Sequence, residues 1–255
     1  MQMRKSKVLE KLRSGKVASC VKLNLLDPRV TEIASMIGFD SVWIDMEHVP
    51  TDWGTVENHI RAAKMYDTDV MVRVARGSYS DYIRPLELAA AGIMVPHVMS
   101  YKEARFIVRT TRFHPVGRRP LDGGNADGAF CMIEPADYIE QANRERFVCV
   151  QIEDPEPLND LEKIAAIEGI DILFFGPADF SQGIGAPGDW LNPKISETRK
   201  RVAEVCQEYG KFAGTVGGPA NFAQLVEMGY TYISMGADVV GLSAYFKSIL
   251  EAFDR

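Results

Sequence analysis

Short runs dense in Val, Ile and aromatic residues alternate along the chain with segments whose apolar positions recur every three or four residues. The first kind reads as strand and the second as helix, because side chains repeat every two residues on a pleat and about every 3.6 on a helix. Strands are expected at about Val17–Leu25, Ser41–Asp45, Val70–Val74, Gly92–His97, Phe147–Glu153, Asp171–Phe175, Phe212–Val216 and Tyr232–Met235. Helical periodicity follows each one, at Asp27–Ile37, Asp52–Tyr66, Asp81–Ala91, Tyr101–Thr111, Leu158–Glu168, Ser196–Tyr209, Ala220–Met228 and Val240–Phe253. Several of these segments open on Asp, Asn or Pro, and several close on Gly38, Gly92, Gly169, Gly210 or Gly229, as helix ends prefer.

The strands are apolar on both faces, the signature of a parallel sheet covered by helices rather than of half-exposed hairpins. Eight strand-then-helix units closing on themselves make an α/β fold of the (β/α)8 TIM-barrel type, for which about 250 residues is ordinary. The 255 residues therefore read as one barrel domain, 1–255. An open doubly wound sheet competes, but no GxGxxG or GxxxxGK[ST] follows the first strand, and Gly183-Ile184-Gly185 is too short to count. The stretch from Phe113 to Pro135, with four Gly and three Pro, is the one long loop and reads as a functional or interface segment.

Composition adds exclusions. With 46% hydrophobic and 25% charged residues the chain can build a packed core, which rules out a disordered reading. Lys and Arg number 29 against 35 Asp and Glu, giving −6, and no run of five like charges occurs, so nucleic acid and acidic lipid find no electrostatic footing. No stretch approaches the ~18 apolar residues of a membrane span. The first residues, MQMRKSKVLEKLRSGK, interleave charged and apolar positions at helical spacing, unlike a secretory signal. Cys20, Cys131, Cys149 and Cys206 lie far apart with no CxxC, which fits buried, reduced thiols and a cytoplasmic location.

In a barrel of this kind the loops after the strands form the open mouth, so chemistry is sought at strand ends. Strand two ends in Asp45-Met46-Glu47-His48, strand three in Arg73-Val74-Ala75-Arg76, strand five in Gln151-Ile152-Glu153-Asp154, and strand six in Gly176-Pro177-Ala178-Asp179. Glu153 and Asp179 supply hard oxygen donors suited to Mg²⁺ or Mn²⁺, with Asp154 or Glu156 as rivals to Glu153. Asp45, three residues before His48, can hold its imidazole in one tautomer for general-base work; a histidine satisfied by backbone is the alternative. Arg73 can clamp a carboxylate or a developing oxyanion, or simply pair with Glu47 or Glu87. His97 is a weaker candidate, and His59 and His114 are assigned no chemistry. The turn from Gly176 to Asp179 enters a helix start, where free amides favour anions.

These residues belong to longer stretches: GFDSVWIDMEHVP, VRVARG, AAAGIMVPHV, VQIEDPEPLNDLEKIAAIEGIDILFFGPADFS and GYTYISMGAD. Together, from roughly Ser19 to Ala244, the chain resembles the HpcH/HpaI family of metal-dependent pyruvate aldolases. The combination of EH after strand two, QxE at strand five and GPxDxS at strand six carries the specificity. The resemblance implies a homo-oligomer, a hexamer built as a trimer of dimers with C-terminal helices swapped between subunits, and a divalent metal, Mg²⁺, Mn²⁺ or Co²⁺. By the same resemblance Glu153 and Asp179 hold the metal, His48 with Asp45 forms the acid/base pair, and Arg73 faces the pyruvyl oxygen. Gln151, Gly176, Pro177 and Ala178 contact the pyruvate moiety. Glu87 opens Glu87-Leu88-Ala89-Ala90 where relatives carry Asp-Ala-Gly-Ala, and it is expected at the substrate. Departures there, at Gly117-Arg118-Arg119-Pro120, and at Lys22 and Asn24 are expected to touch the mouth and so substrate choice.

The implied reaction is reversible cleavage of a 4-hydroxy-2-oxo acid, such as a 2-keto-3-deoxy sugar acid or a 4-hydroxy-2-oxo-heptanedioate-type diacid, into pyruvate and an aldehyde through a metal-stabilised enolate. A related condensing enzyme or 2-oxo acid decarboxylase on the same barrel, or a non-catalytic subunit, are the alternatives. A Schiff-base route is disfavoured, since Lys22 and Lys211 are the lysines nearest strands and neither has an evident activating neighbour.

Overall fold

A computed structural model describes residues 1–253 of the chain. Eight parallel strands close into one barrel in sequence order: β1 (Ala18–Leu23), β2 (Ser41–Asp45), β3 (Asp69–Arg73), β4 (Gly92–Val95), β5 (Phe147–Ile152), β6 (Ile172–Phe175), β7 (Phe212–Gly217) and β8 (Tyr230–Ala237), with β8 pairing back to β1. Helix α1 (Lys7–Arg13) precedes β1. The outer helices are α2 (Pro28–Ile37), α3 (Trp53–Lys64), α4 (Tyr79–Glu87), α5 (Tyr101–Thr111), α6 (Pro135–Glu145), α7 (Leu161–Ala165), α8 (Pro177–Gly183), α9 (Pro193–Glu208), α10 (Phe222–Glu227) and α11 (Asp238–Leu250). The fold is the (β/α)8 barrel expected from the pattern. Helix α6 was not anticipated; α1, 7 residues, falls in the first stretch of helical spacing, and α8, also 7 residues, opens at the helix start expected in the Gly176–Asp179 turn.

Both strand faces are apolar because each meets its own core. Outward side chains such as Val42, Ile44, Val70 and Val72 pack under Val56 and Ile60 of α3. Inward ones, among them Cys20, Trp43, Met71, Met94, Cys149, Phe174 and Tyr232, fill the barrel, and Val8, Leu9 and Leu12 of α1 plug its floor. Asp69 anchors that plug by accepting from Ser6 Oγ at 2.6 Å and Val8 N at 2.9 Å. With the floor shut, the barrel interior is reached from the mouth.

Strands run from floor to mouth and the outer helices run back, so a helix's last residues lie at the floor. Two expectations change on that ground. Glu87 ends α4, and its carbonyl accepts from Asp127 N at 3.2 Å, inside the long loop that crosses the floor after α5. The Gly117–Pro120 segment belongs to the same loop, with Arg119 paired to Asp127 at 3.1 Å. Neither departure touches the mouth. Among the cysteines Cys20, Cys149 and Cys206 are buried as expected, whereas Cys131 is exposed on that loop.

Helix α11 differs from the rest. It has no buried residue, and its apolar Val240, Tyr245, Phe246 and Leu250 lie in the open. Among the described residues no helix is long and apolar enough to cross a membrane.

Candidate active site

A cavity of about 410 Å³ opens at the mouth, lined by Lys22 of β1, Trp43 of β2, His48, Arg73 of β3, Gln151 of β5, Glu153, the turn from Gly176 to Asp179, and residues of β7 and β8. Register decides which of these meet. Residues level in a parallel barrel stand side by side, and the pairing sets Asp45 against Arg73 and Lys22 against Trp43. Arg73 accordingly forks onto Asp45, Nε to Oδ1 at 3.0 Å and Nη2 to Oδ2 at 2.5 Å, while Lys22 Nζ reaches Oδ2 at 2.8 Å. Both cations stand over the Trp43 ring, at 4.7 and 5.3 Å from its centroid. Burial alone would raise the Asp45 pKa; Arg73 and Lys22 outweigh it and hold the carboxyl far below its ordinary range.

That arrangement changes the reading of Asp45 and His48. Of His48, Asp45 meets only the backbone N–H, at 3.4 Å, and its carboxylate is spent on Arg73, Lys22 and the Glu47 amide. The His48 ring is half exposed at the lip, and its Nε2 is 3.6 Å from Glu47 Oε2. Glu47 is the hub: the same Oε2 lies 3.0 Å from Arg73 Nη1, and its Oε1 lies 3.6 Å from His97 Nε2.

His97, the weaker candidate by sequence, belongs to the centre of the site. It leaves β4 with φ of 48°, a left-handed conformation that few residues other than glycine adopt. The turn aims its backbone N–H at Glu153 Oε1, 2.9 Å away, and places its Nδ1 2.8 Å from Asp154 Oδ2. Asp154 thus serves His97 rather than competing with Glu153. Burial disfavours a charged ring, but Asp154, Glu153 and Glu47 together raise the His97 pKa.

Glu153 is 1% exposed and receives Gln151 Nε2 at 2.7 Å. Gly176 makes this possible: a Cβ there would lie 2.5 Å from Glu153 Oε2. Burial, reinforced by the like charge of Asp179, pushes the Glu153 pKa up to about 7 against the pull of His97 and Arg73. One donor atom each from His97, Glu153 and Asp179 lies within 4.8 Å of the others. Two carboxylates and an imidazole so close, one carboxyl buried where its charge is disfavoured, fit a divalent cation that offsets that charge. Gln151 Oε1 and Trp43 Nε1 are buried without a hydrogen-bond partner. Unmet buried polar atoms cost ~1–3 kcal/mol each, so these two cavity-wall residues stand ready for a guest.

Of the other residues singled out by sequence, Gly176, Pro177 and Ala178 line this cavity and Glu87 does not. Glu87 lines a different pocket with Trp53, Arg84 and Phe130. Lys211 donates to the carbonyls of Ile167 and Ile170, both at 2.9 Å, away from the site. Trp43 and Glu47 had no assigned role in catalysis; a bulky ring inside a strand two residues before a strand-end acid was the available signal.

This is the mouth site of a barrel enzyme. The HpcH/HpaI aldolase/citrate lyase family model matches residues 20–244, and the chain belongs to that family, among enzymes that act on carbon–carbon bonds. It is 30% identical over 247 residues to a hydroxypyruvate/pyruvate aldolase of Pseudomonas aeruginosa, covering 96% of this chain and 91% of that one. It is likewise 30% identical to a 4-hydroxy-2-oxo-heptane-1,7-dioate aldolase of Klebsiella pneumoniae, covering 95% and 91%. The crystal structure of an HpcH/HpaI aldolase from Desulfitobacterium hafniense superposes with a TM-score of 0.91 at 27% identity, covering 97% and 96%.

Proposed function

We propose that the protein is a divalent-metal-dependent aldolase that reversibly cleaves a 4-hydroxy-2-oxo acid into pyruvate and an aldehyde. The observation that carries this reading is the cluster of His97, Glu153 and Asp179, whose two carboxylates line one cavity with Arg73. The names of the Pseudomonas and Klebsiella relatives support the same chemistry. Glu153 and Asp179, with His97, would hold Mg²⁺, Mn²⁺ or Co²⁺, and such an ion supplies Lewis acidity toward the 2-oxo acid.

The chain's own groups do the rest. Arg73, immobilised by Asp45 and Glu47, presents a fixed cation to negative charge growing on the oxo oxygen as the C3–C4 bond breaks. His48, free at the lip, takes the proton of the 4-hydroxyl, with Glu47 beside its Nε2 to steady the imidazolium, and the proton is returned to C3 to complete pyruvate once the aldehyde has formed. Gln151 fixes Glu153 in its direction. Lys22 is tied to Asp45, so no Schiff base is assigned to it.

The test is pyruvate release from a panel of 2-keto-3-deoxy sugar acids and 4-hydroxy-2-oxo diacids, with and without EDTA. Metal-dependent release supports the reading, and undiminished cleavage after chelation sinks it. If no acid is cleaved with any of the three ions, consumption of oxaloacetate with a second electrophile tests the condensing alternative. The apolar, uncovered face of α11 supports assembly into a homo-oligomer in which a second copy covers it. Light scattering on wild type and Phe246→Glu checks this: the substitution is expected to lower the oligomeric mass, and a monomeric wild type would refute it.

A further inference from the structure

A second cavity, about 540 Å³ and so larger than the one at the mouth, lies on the outer flank of the barrel. It exists because neighbouring helices differ in length: α5 has 11 residues and α7 only 5, so part of the α5 flank faces no helix. The gap is walled by Pro115–Arg118 and by Ala166, Ile167 and Glu168, and Val108 and Ile167 give it an apolar floor.

Four of the six polar side chains that line it, Tyr101 and Glu168 being the others, are cations. Lys102, Arg105 and Arg109 recur three and four residues apart on one face of α5, and Arg118 joins them from the loop, its N–H donating to the Arg109 carbonyl at 2.6 Å. Like charges at that spacing repel, and an α-helix carries them on one face at a loss. The acids near enough to relieve them are engaged elsewhere. Glu103 of α5 holds Arg76 at 2.7 Å, Asp160 holds Lys163 at 2.8 Å, and Glu162 holds Arg201 at 2.9 Å. Among the described residues of the lining Glu168 is the one acid left to face four cations, in a chain whose net charge is −6.

We propose that this groove binds a small multivalent anion: several phosphate or carboxylate oxygens on one molecule, held by Arg105, Arg109 and Arg118, with its carbon skeleton on Val108 and Ile167. Guanidinium forks match such oxygens in pairs, and the volume is that of a metabolite site. Cations grouped around a concavity, rather than drawn out as a stripe, select a compact guest.

Calorimetric titration of the full-length, metal-free protein with inorganic pyrophosphate and, separately, with citrate tests this. One or both are expected to bind once per chain, and the tighter of the two identifies phosphate or polycarboxylate as the preferred source. Arg105→Ala with Arg109→Ala should weaken that binding about tenfold or more, and Arg105→Glu with Arg109→Glu should abolish it. Pyruvate-forming activity and melting temperature should stay at wild-type values in both. Lys22→Met, at the mouth, should leave the binding unchanged. Binding weaker than about 10 mM for both anions, equal affinity in the double variants, or loss confined to Lys22→Met overturns the proposal.

Discussion

Asp127 at the floor and Glu153 at the mouth are buried to the same depth, and this barrel treats the two carboxylates oppositely. At the floor Asp127 is enclosed, but Arg146 at 2.7 Å, Arg119 at 3.1 Å and the Tyr138 hydroxyl at 3.0 Å surround it, and its pKa falls despite burial. At the mouth Glu153 is equally enclosed, yet its close neighbours include Asp179, and its pKa rises to about 7. Desolvation is common to both; the sign of the result is set by whether a cation is built in. A closed ion-pair network serves the fold, and a buried acid left without one is held ready for a cation from outside. The difference predicts that substitutions at the two ends separate activity from stability.

The largest effect is expected at the mouth. Glu153→Gln keeps the shape and removes the charge, so pyruvate release at saturating metal should fall on the order of 10³-fold, the scale of several kcal/mol of lost charge stabilisation. The melting temperature of the metal-free protein should hold or rise. A stability loss with activity retained would reverse the comparison.

At the floor the expectation is the mirror image. Asp127→Ala leaves Arg119 and Arg146 buried without a counter-charge, which costs ~3–5 kcal/mol of unfolding free energy in denaturant titration. Activity at temperatures where the variant is folded should stay near wild type. Third in size, His97→Asn should weaken Mn²⁺ affinity by about 10–100-fold in a calorimetric titration. Unchanged affinity would reduce the cluster to two carboxylates and leave His97 as Asp154's partner alone.

These residues also mark what the sequence made legible. Strand–helix contrast is a strong local signal, and β2 and α5 have the bounds read from it. The strand-end rule brought Asp45, Arg73, Gln151, Glu153 and Asp179 to the mouth because position along a strand is enough for that. Partner choice was not legible. Asp45 lies three residues from His48 in sequence, but level with Arg73 across the β2–β3 register, and the lateral neighbour won. His97 reaches Glu153 through a left-handed turn that its sequence does not announce. Glu87 sits at a helix end, which faces the floor, so a motif taken from relatives misplaced it. The four cations of the flank form no run in the sequence; Phe106, Val108 and their neighbours interrupt them, and only helical winding and the loop gather them.

The smallest predicted effect isolates the mouth's electrostatics without changing an atom. In the unfolded chain Glu153 loses its proton near its ordinary 4.5, whereas folded it keeps the proton to about 7. Between those values the folded state binds more protons, so the stabilising contribution present below 4.5 is lost as pH rises toward 7. His97, also raised above its ordinary 6.5, adds a loss of the same sign at the upper end. The melting temperature of the metal-free protein should therefore drop by a few degrees across this window, while the floor carboxylate, held low, contributes change only at more acid pH. Glu153→Gln should erase the lower part of the slope and leave of the His97 part only the share that Asp154 and Glu47 supply. Saturating Mg²⁺ or Mn²⁺ should flatten it as well, because a cation favours the ionised carboxylate that pH otherwise penalises. A slope that survives both the substitution and the metal would place its origin outside the mouth, and the contrast between the two ends of the barrel would then rest on geometry alone.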